Sequence, residues 1–192
     1  MPRRPQQRTL ETRANLLACA RASVLKVGYA GLRVDDVVTR AGVAKGTFFA
    51  HFKDKDGILE CLVGDEMDRL LAEMERLPPP TSVADLADCI WPFLLFLRQD
   101  RYTFDFIIRH SGATASDQIG PIAQAFHRHA AISRVWMDQG RFRVDVPPAI
   151  LAHGIQAFMI HSVGLEFCAL HSGDGLRARL CEYLEAWLNV PG

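Results

Sequence analysis

The chain has 192 residues, 49% hydrophobic and 23% charged with no net charge, a balance that supports a folded core of one large or two small domains and excludes a disordered chain. Five scattered cysteines (Cys19, Cys61, Cys89, Cys168, Cys181) with no C-x-x-C pair argue against a disulfide framework and for a reducing, cytoplasmic compartment, and the opening MPRRPQQR lacks the apolar core of a secretory signal. Residues 1–60 hold eleven Lys/Arg, including all four lysines, against six Asp/Glu, so this segment carries +5 and the remainder −5. A basic front on an acidic body suits a polyanion-binding module joined to something else, although an excess of five also arises by chance.

In chain order, Thr9 is placed to cap a first helix with Glu11 in its first turn, and Leu16, Leu17, Ala20, Val24 and Val27 recur at helical spacing until Gly28 ends the run. Arg3, Arg4 and Arg8 ahead of it are either a solvated tail or an arm that touches phosphates or a minor groove. A short helix with Val34, Val37 and Val38 on its apolar side follows. Ala41-Gly42-Val43 breaks it, and a compact basic and aromatic helix runs from Ala44 to Phe52. Two short helices joined by a tight turn are the helix-turn-helix pattern, in which the second helix is presented to the DNA major groove. Asp54 then caps a long helix over 55–77 with the stripe Ile58, Leu59, Leu62, Val63, Met67, Leu70, Leu71, Met74 and Leu77, stopped by Pro78-Pro79-Pro80. The domain division falls there: a DNA-binding domain over 1–55 and a second domain over 56–192, with the 55–77 helix connecting them.

Every strong pattern beyond Ser82 is again helical. Ser82 caps a segment with Leu86, Phe93, Leu94 and Leu97 on one side and Pro92 inside it. Arg101 to His110 is short and aromatic, Ser111 to Thr114 is a loop, and Asp117 to Gln139 is a helix closed by Gly140. Pro147-Pro148 opens a helix to about Leu170, and Ser172 to Gly175 turns into a last helix striped by Leu176, Leu180, Tyr183, Leu184, Trp187 and Leu188. The expected fold is all-α, with about nine helices. Residues 146–165 are uncharged, but Pro147, Pro148, His153, Gln156 and His161 are costly in hydrocarbon, so this stretch reads as a buried helix of a soluble bundle and not as a membrane span. Its small-residue stripe, Gly154, Ala157, His161, Gly164 and Cys168, lets another helix approach closely, either within the chain or from a partner copy. A symmetric homodimer made by the last two helices, through Gly154, Ala157, His161, Leu184, Trp187 and Leu188, is the sharper reading.

The segment 9–60 resembles the tetracycline-repressor (TetR) family of transcription regulators. The likeness rests on the first helix ending in Gly28-Tyr29, on Val34-x-x-Val37, on Ala41-Gly42-Val43-Ala44-Lys45-Gly46-Thr47-Phe48-Phe49, and on His51-Phe52, Lys55 and Leu59. It covers about a quarter of the chain. Three positions depart from the family pattern: Arg33 stands where Ser or Thr commonly caps the second helix, Ala44 replaces a frequent serine, and Phe49 a frequent tyrosine, so a hydroxyl-to-phosphate bond is absent there. The resemblance implies a homodimeric repressor that leaves a near-palindromic double-stranded operator when a small effector binds.

Residue by residue, Lys45 and Thr47 open a helix whose first turn reaches base edges, and Gly46 lets the backbone approach the DNA. His51 and Lys55 are placed for phosphates, Arg33 for another, and Phe49 lies on the same short helix. In the second domain Phe93, Phe96, Phe106 and Phe158 are candidates to line an apolar pocket, with His110 and His161, and also Gln156, as its polar groups, so the effector is expected to be apolar or aromatic. His127-x-His129 and Cys168-x-x-His171 are the nearest metal pairings, and neither has a completing partner, so neither a metal nor a cofactor is expected. No G-x-S-x-G, P-loop or H-E-x-x-H is present and no enzyme is expected; the rival reading is a small all-α enzyme or carrier using the aromatic cavity.

Overall fold

The computed structural model describes residues 5–112, 119–139, 141–168 and 175–189. Among these it contains nine α-helices and no strand: α1 (Pro5–Gly31), α2 (Val34–Ala41), α3 (Lys45–His51), α4 (Lys55–Met74), α5 (Val83–Arg98), α6 (Arg101–His110), α7 (Pro121–Gln139), α8 (Pro148–Glu166) and α9 (Leu176–Leu188). They form two compact units, Met1–Gly64 and Asp65–Gly192, which meet within α4.

In the first unit the helix starts earlier than Thr9 implies. Pro5 opens α1, where its missing N–H costs nothing, and Thr9 lies a turn inside. Arg3 and Arg4 lie outside the described residues, and Arg8 sits on α1 itself. Gly28 breaks the helix at φ 70, ψ 173, a conformation essentially confined to glycine. Leu16 and Ala20 are fully buried, whereas Val27, expected on the apolar stripe, is 55% exposed beside this break. The core closes with Leu32, Val37, Val38, Phe48, Phe52, Ile58 and Leu59. The turn between α2 and α3 is made by Gly42 in the left-handed region (φ 66, ψ 33), whose N–H and that of Val43 return to Thr39 and Val38 carbonyls.

α4 begins as expected, with the Asp54 carboxylate accepting the Gly57 N–H at 2.8 Å. It ends at Met74, with three further turn bonds carrying the chain to an exposed Leu77, because residues ahead of the proline run are pushed out of the helical region. In the second unit Ser82 caps α5 through the Asp85 N–H, and Asp100 caps α6 through the Thr103 N–H and hydroxyl. α7 starts at Pro121, since Ile119 and Gly120 are outside the helix and proline suits the first turn, while Asp117 lies outside the described residues. α8 is long and apolar enough to cross a membrane, but its Leu151, Ala152, Ile155, Met159 and Val163 are packed into the unit, where it lies between α7 and α9. Gly140 and residues 169–174, which include His171 and most of the expected last turn, lie outside the described residues.

Candidate nucleic-acid interface and the polar interior of the second unit

α3 is seven residues long and has no side-chain cap at Ala44, so it is a marginal helix by itself. α1 supplies what α2 and α3 lack. Asn15 donates from Nδ2 to the Ala41 carbonyl at 3.1 Å, and Arg13 donates to the His51 carbonyl at 3.0 Å, each closing the C-terminal end of one short helix. The Arg13 guanidinium also lies 4.3 Å from the Phe52 ring centroid and donates to the Cys61 sulfur at 3.2 Å. Phe48, fully buried and 5.6 Å from Phe52 between ring centroids, anchors the inner face of α3.

The outer face is then left free. Lys45, Gly46 and Phe49 are exposed on one side of α3, and Thr47 and His51 are half-buried. No atom lies within 4 Å of the position a Cβ would take at Gly46, so packing does not demand glycine there and the space remains open to a ligand backbone. Lys45 reaches back to Asp35 of α2 at 2.7 Å, in an ion pair whose side chains are 55% and 73% exposed. Such a pair is weak and exchanges readily for a phosphate. Arg33 is exposed and makes no capping bond to α2, which is compensated by Asp35 and Asp36 in its first turn. Lys55 differs from its expected role in one respect: it is half-buried and its ammonium donates to the Ala30 carbonyl at 3.1 Å, so it also ties α4 to the end of α1.

In the second unit, the polar group at the centre is one that sequence spacing had offered only as half of a metal pair. His129 of α7 is fully buried and stacks on Phe93 of α5 at 5.3 Å with an interplanar angle of 24°. Burial pushes its imidazole down to about 4, with the nearby Gln156 amide of α8 opposing in part, so the ring is neutral at ordinary pH. Neither ring nitrogen reaches a protein partner at hydrogen-bond geometry, and neither does the buried Oγ of Ser133, one turn further along α7, nor Oε1 of Gln156. The residue before His129 points outward: Arg128 donates to Glu75 at 2.7 and 2.9 Å and to Asp68 at 3.1 Å, binding α7 to the second half of α4.

Compared with known proteins, residues 16–62 match the model of bacterial regulatory proteins of the tetR family. Over this segment the chain is similar to the TetR family. It is 36% identical over 81 residues to the HTH-type transcriptional regulator CymR of Pseudomonas putida, covering 40% of each chain. It is 27% identical over 95 residues to the HTH-type transcriptional regulator TtgR, also of Pseudomonas putida, covering 50% of this chain and 45% of that one. The alignments thus span less than half the length of these curated relatives. The fold as a whole is shared with SmeT, the repressor of the Stenotrophomonas maltophilia multidrug efflux pump SmeDEF, at a TM-score of 0.59 and 20% identity over 94% of both chains. These relatives are transcription regulators by name, and the rival reading as an enzyme finds no support among them.

The second unit distributes the other expected residues unevenly. Phe93 and Phe106 are buried in the core, Phe106 stacked on His110 at 4.2 Å, while the His110 Nδ1 is already bonded to the Phe106 carbonyl. Phe96 is half-buried. Phe158 and the exposed His161 belong elsewhere, to a half-exposed aromatic strip with Tyr183 and Trp187 on α8 and α9. Of the residues expected between protomers, Ala157 is exposed and Leu184 and Leu188 are fully buried within the chain. Gly154 faces Trp187 of its own chain: an added Cβ would lie 2.2 Å from the indole Nε1, which donates to the Leu151 carbonyl. The signal for His129 was present but weak, since Phe126, His129, Ser133 and Trp136 share one buried helical face.

Proposed function

We propose that this protein is a ligand-responsive, homodimeric transcriptional repressor of the cytoplasm, with α3 seated in the major groove of each half of a near-palindromic operator. The observation that carries this reading is the exposed face Lys45-Gly46-Phe49 on a short helix whose C-terminal end is fixed by Arg13 of α1, within the stretch that matches the family. Lys45 and Thr47 address base edges; Arg33, His51 and Lys55 address phosphates. Dimerisation is assigned to the half-exposed strip of Ala157, Phe158, His161, Tyr183 and Trp187 on α8 and α9.

The effector enters the second unit and is apolar or aromatic over most of its surface, in keeping with Phe93, Phe126 and their neighbours. Its route to the DNA runs through Arg128, because a displacement of α7 is felt by the α4 residues Asp68 and Glu75 that this arginine holds. Release requires the effector to prefer one arrangement of α4 over the other. A mobility-shift titration with the DNA flanking the protein's own coding region, run at two salt concentrations, tests the reading. Specific binding that weakens with salt is expected, and failure to select any such fragment over random DNA contradicts it.

A further inference from the structure

We infer that His129, Ser133 and Gln156 form the recognition point for a single uncharged hydrogen-bonding group, such as a hydroxyl, carried at the end of an apolar effector. The inference deepens the reading above and rests on the second unit being the effector-binding part.

Buried polar atoms are ordinarily satisfied, and each exception calls for a reason. Here the exceptions gather on facing helices. Two imidazole nitrogens and a serine oxygen lie one turn apart on α7, and the Gln156 amide lies across on α8, where it already engages the His129 ring outside good hydrogen-bond geometry. The neutral imidazole offers one donor and one acceptor, the carboxamide oxygen an acceptor, and the hydroxyl either. A hydroxyl group, which donates once and accepts twice, matches such a set. A carboxylate does not: it would enter with a full charge among side chains that carry no countercharge, and a neutral buried His129 cannot supply one. Phe93, stacked on the imidazole with Phe126 at its edge, fixes the ring and supplies apolar and aromatic surface beside the polar point. Met159 and Ile155, fully buried on α8, flank Gln156 in sequence on the same helix. A set of unmet hydrogen bonds held for a ligand also predicts a stability cost in the free protein, which a histidine with paired nitrogens would not show.

The test uses the full chain and three probes of one shape: 2-naphthol, naphthalene and 2-naphthoate, each titrated by calorimetry. We expect 2-naphthol to bind about tenfold or more tightly than either of the others, the loss expected when a buried hydrogen-bonding set is left unanswered. His129→Leu should remove that preference and raise the thermal midpoint of the free protein. Ser133→Ala, a smaller change, should weaken 2-naphthol selectively with the fold intact. Equal or tighter binding of 2-naphthoate, binding of none of the three, or a lowered midpoint in His129→Leu overturns the assignment. A mobility shift with operator DNA separates the two readings. DNA binding without probe selectivity sinks the polar point and leaves the repressor; selective 2-naphthol binding that never releases DNA sinks ligand-responsive repression and leaves the site.

Discussion

Arg13 and His51 stand 38 positions apart, yet the Arg13 guanidinium closes the last turn of α3 by donating to the His51 carbonyl at 3.0 Å. The helix proposed to meet DNA is therefore held from behind by a side chain of α1. Replacing Arg13 by alanine removes this bond and the contact with Phe52 together, at a cost of about 1–2 kcal/mol. Urea unfolding should show that loss, and operator affinity should fall equally for all sequences. A change in base preference would mean that Arg13 touches the groove after all.

The two left-handed glycines are expected to differ. Gly42 lies in the region that asparagine also tolerates, so Gly42→Asn should cost less than about 1 kcal/mol. Gly28, at φ 70 and ψ 173, has no such substitute, and Gly28→Asn should cost on the order of 1–3 kcal/mol. Chemical denaturation of the pair decides it: equal losses would remove the conformational argument.

Asp35 neutralises the lysine that opens α3. Asp35→Asn frees Lys45 and removes a negative charge from the face presented to phosphates, so it should tighten operator binding by a few-fold at low salt and less at high salt. Unchanged affinity in Asp35→Asn, with a loss in Lys45→Ala, would show that DNA already displaces the pair without cost.

Gly154→Ala places a methyl against the Trp187 indole and breaks its bond to Leu151, an overpacking cost of about 1–3 kcal/mol. Tryptophan emission should change and the thermal midpoint should fall in the same variant at any protein concentration. If the midpoint falls only on dilution, Gly154 acts between protomers and not within the chain.

His129 predicts a pH dependence. Its folded pKa of about 4 lies below the usual 6.5, so the unfolded chain takes up the proton first. Stability is therefore full above about pH 6.5 and falls as pH drops toward 4, by on the order of 3 kcal/mol in all. His129→Leu should flatten that limb of the curve, and an unchanged slope would assign it to carboxylates such as Glu75, which Arg128 holds below its usual range.

The local choices were legible from the amino-acid pattern alone. Apolar spacing, Asp54, Ser82 and the glycine turn state where most helices run and mark a helix-turn-helix at the front, because these signals act within a turn or two of the chain. Tertiary structure decided what crosses between helices. Only folding brings Arg13 to His51 and Asn15 to Ala41, and only folding turns Gly154 toward Trp187. Likewise His129, which looked like half of a metal pair, becomes a neutral, buried side chain of the second unit, since burial is set by residues from α5 and α8 that lie far away in sequence.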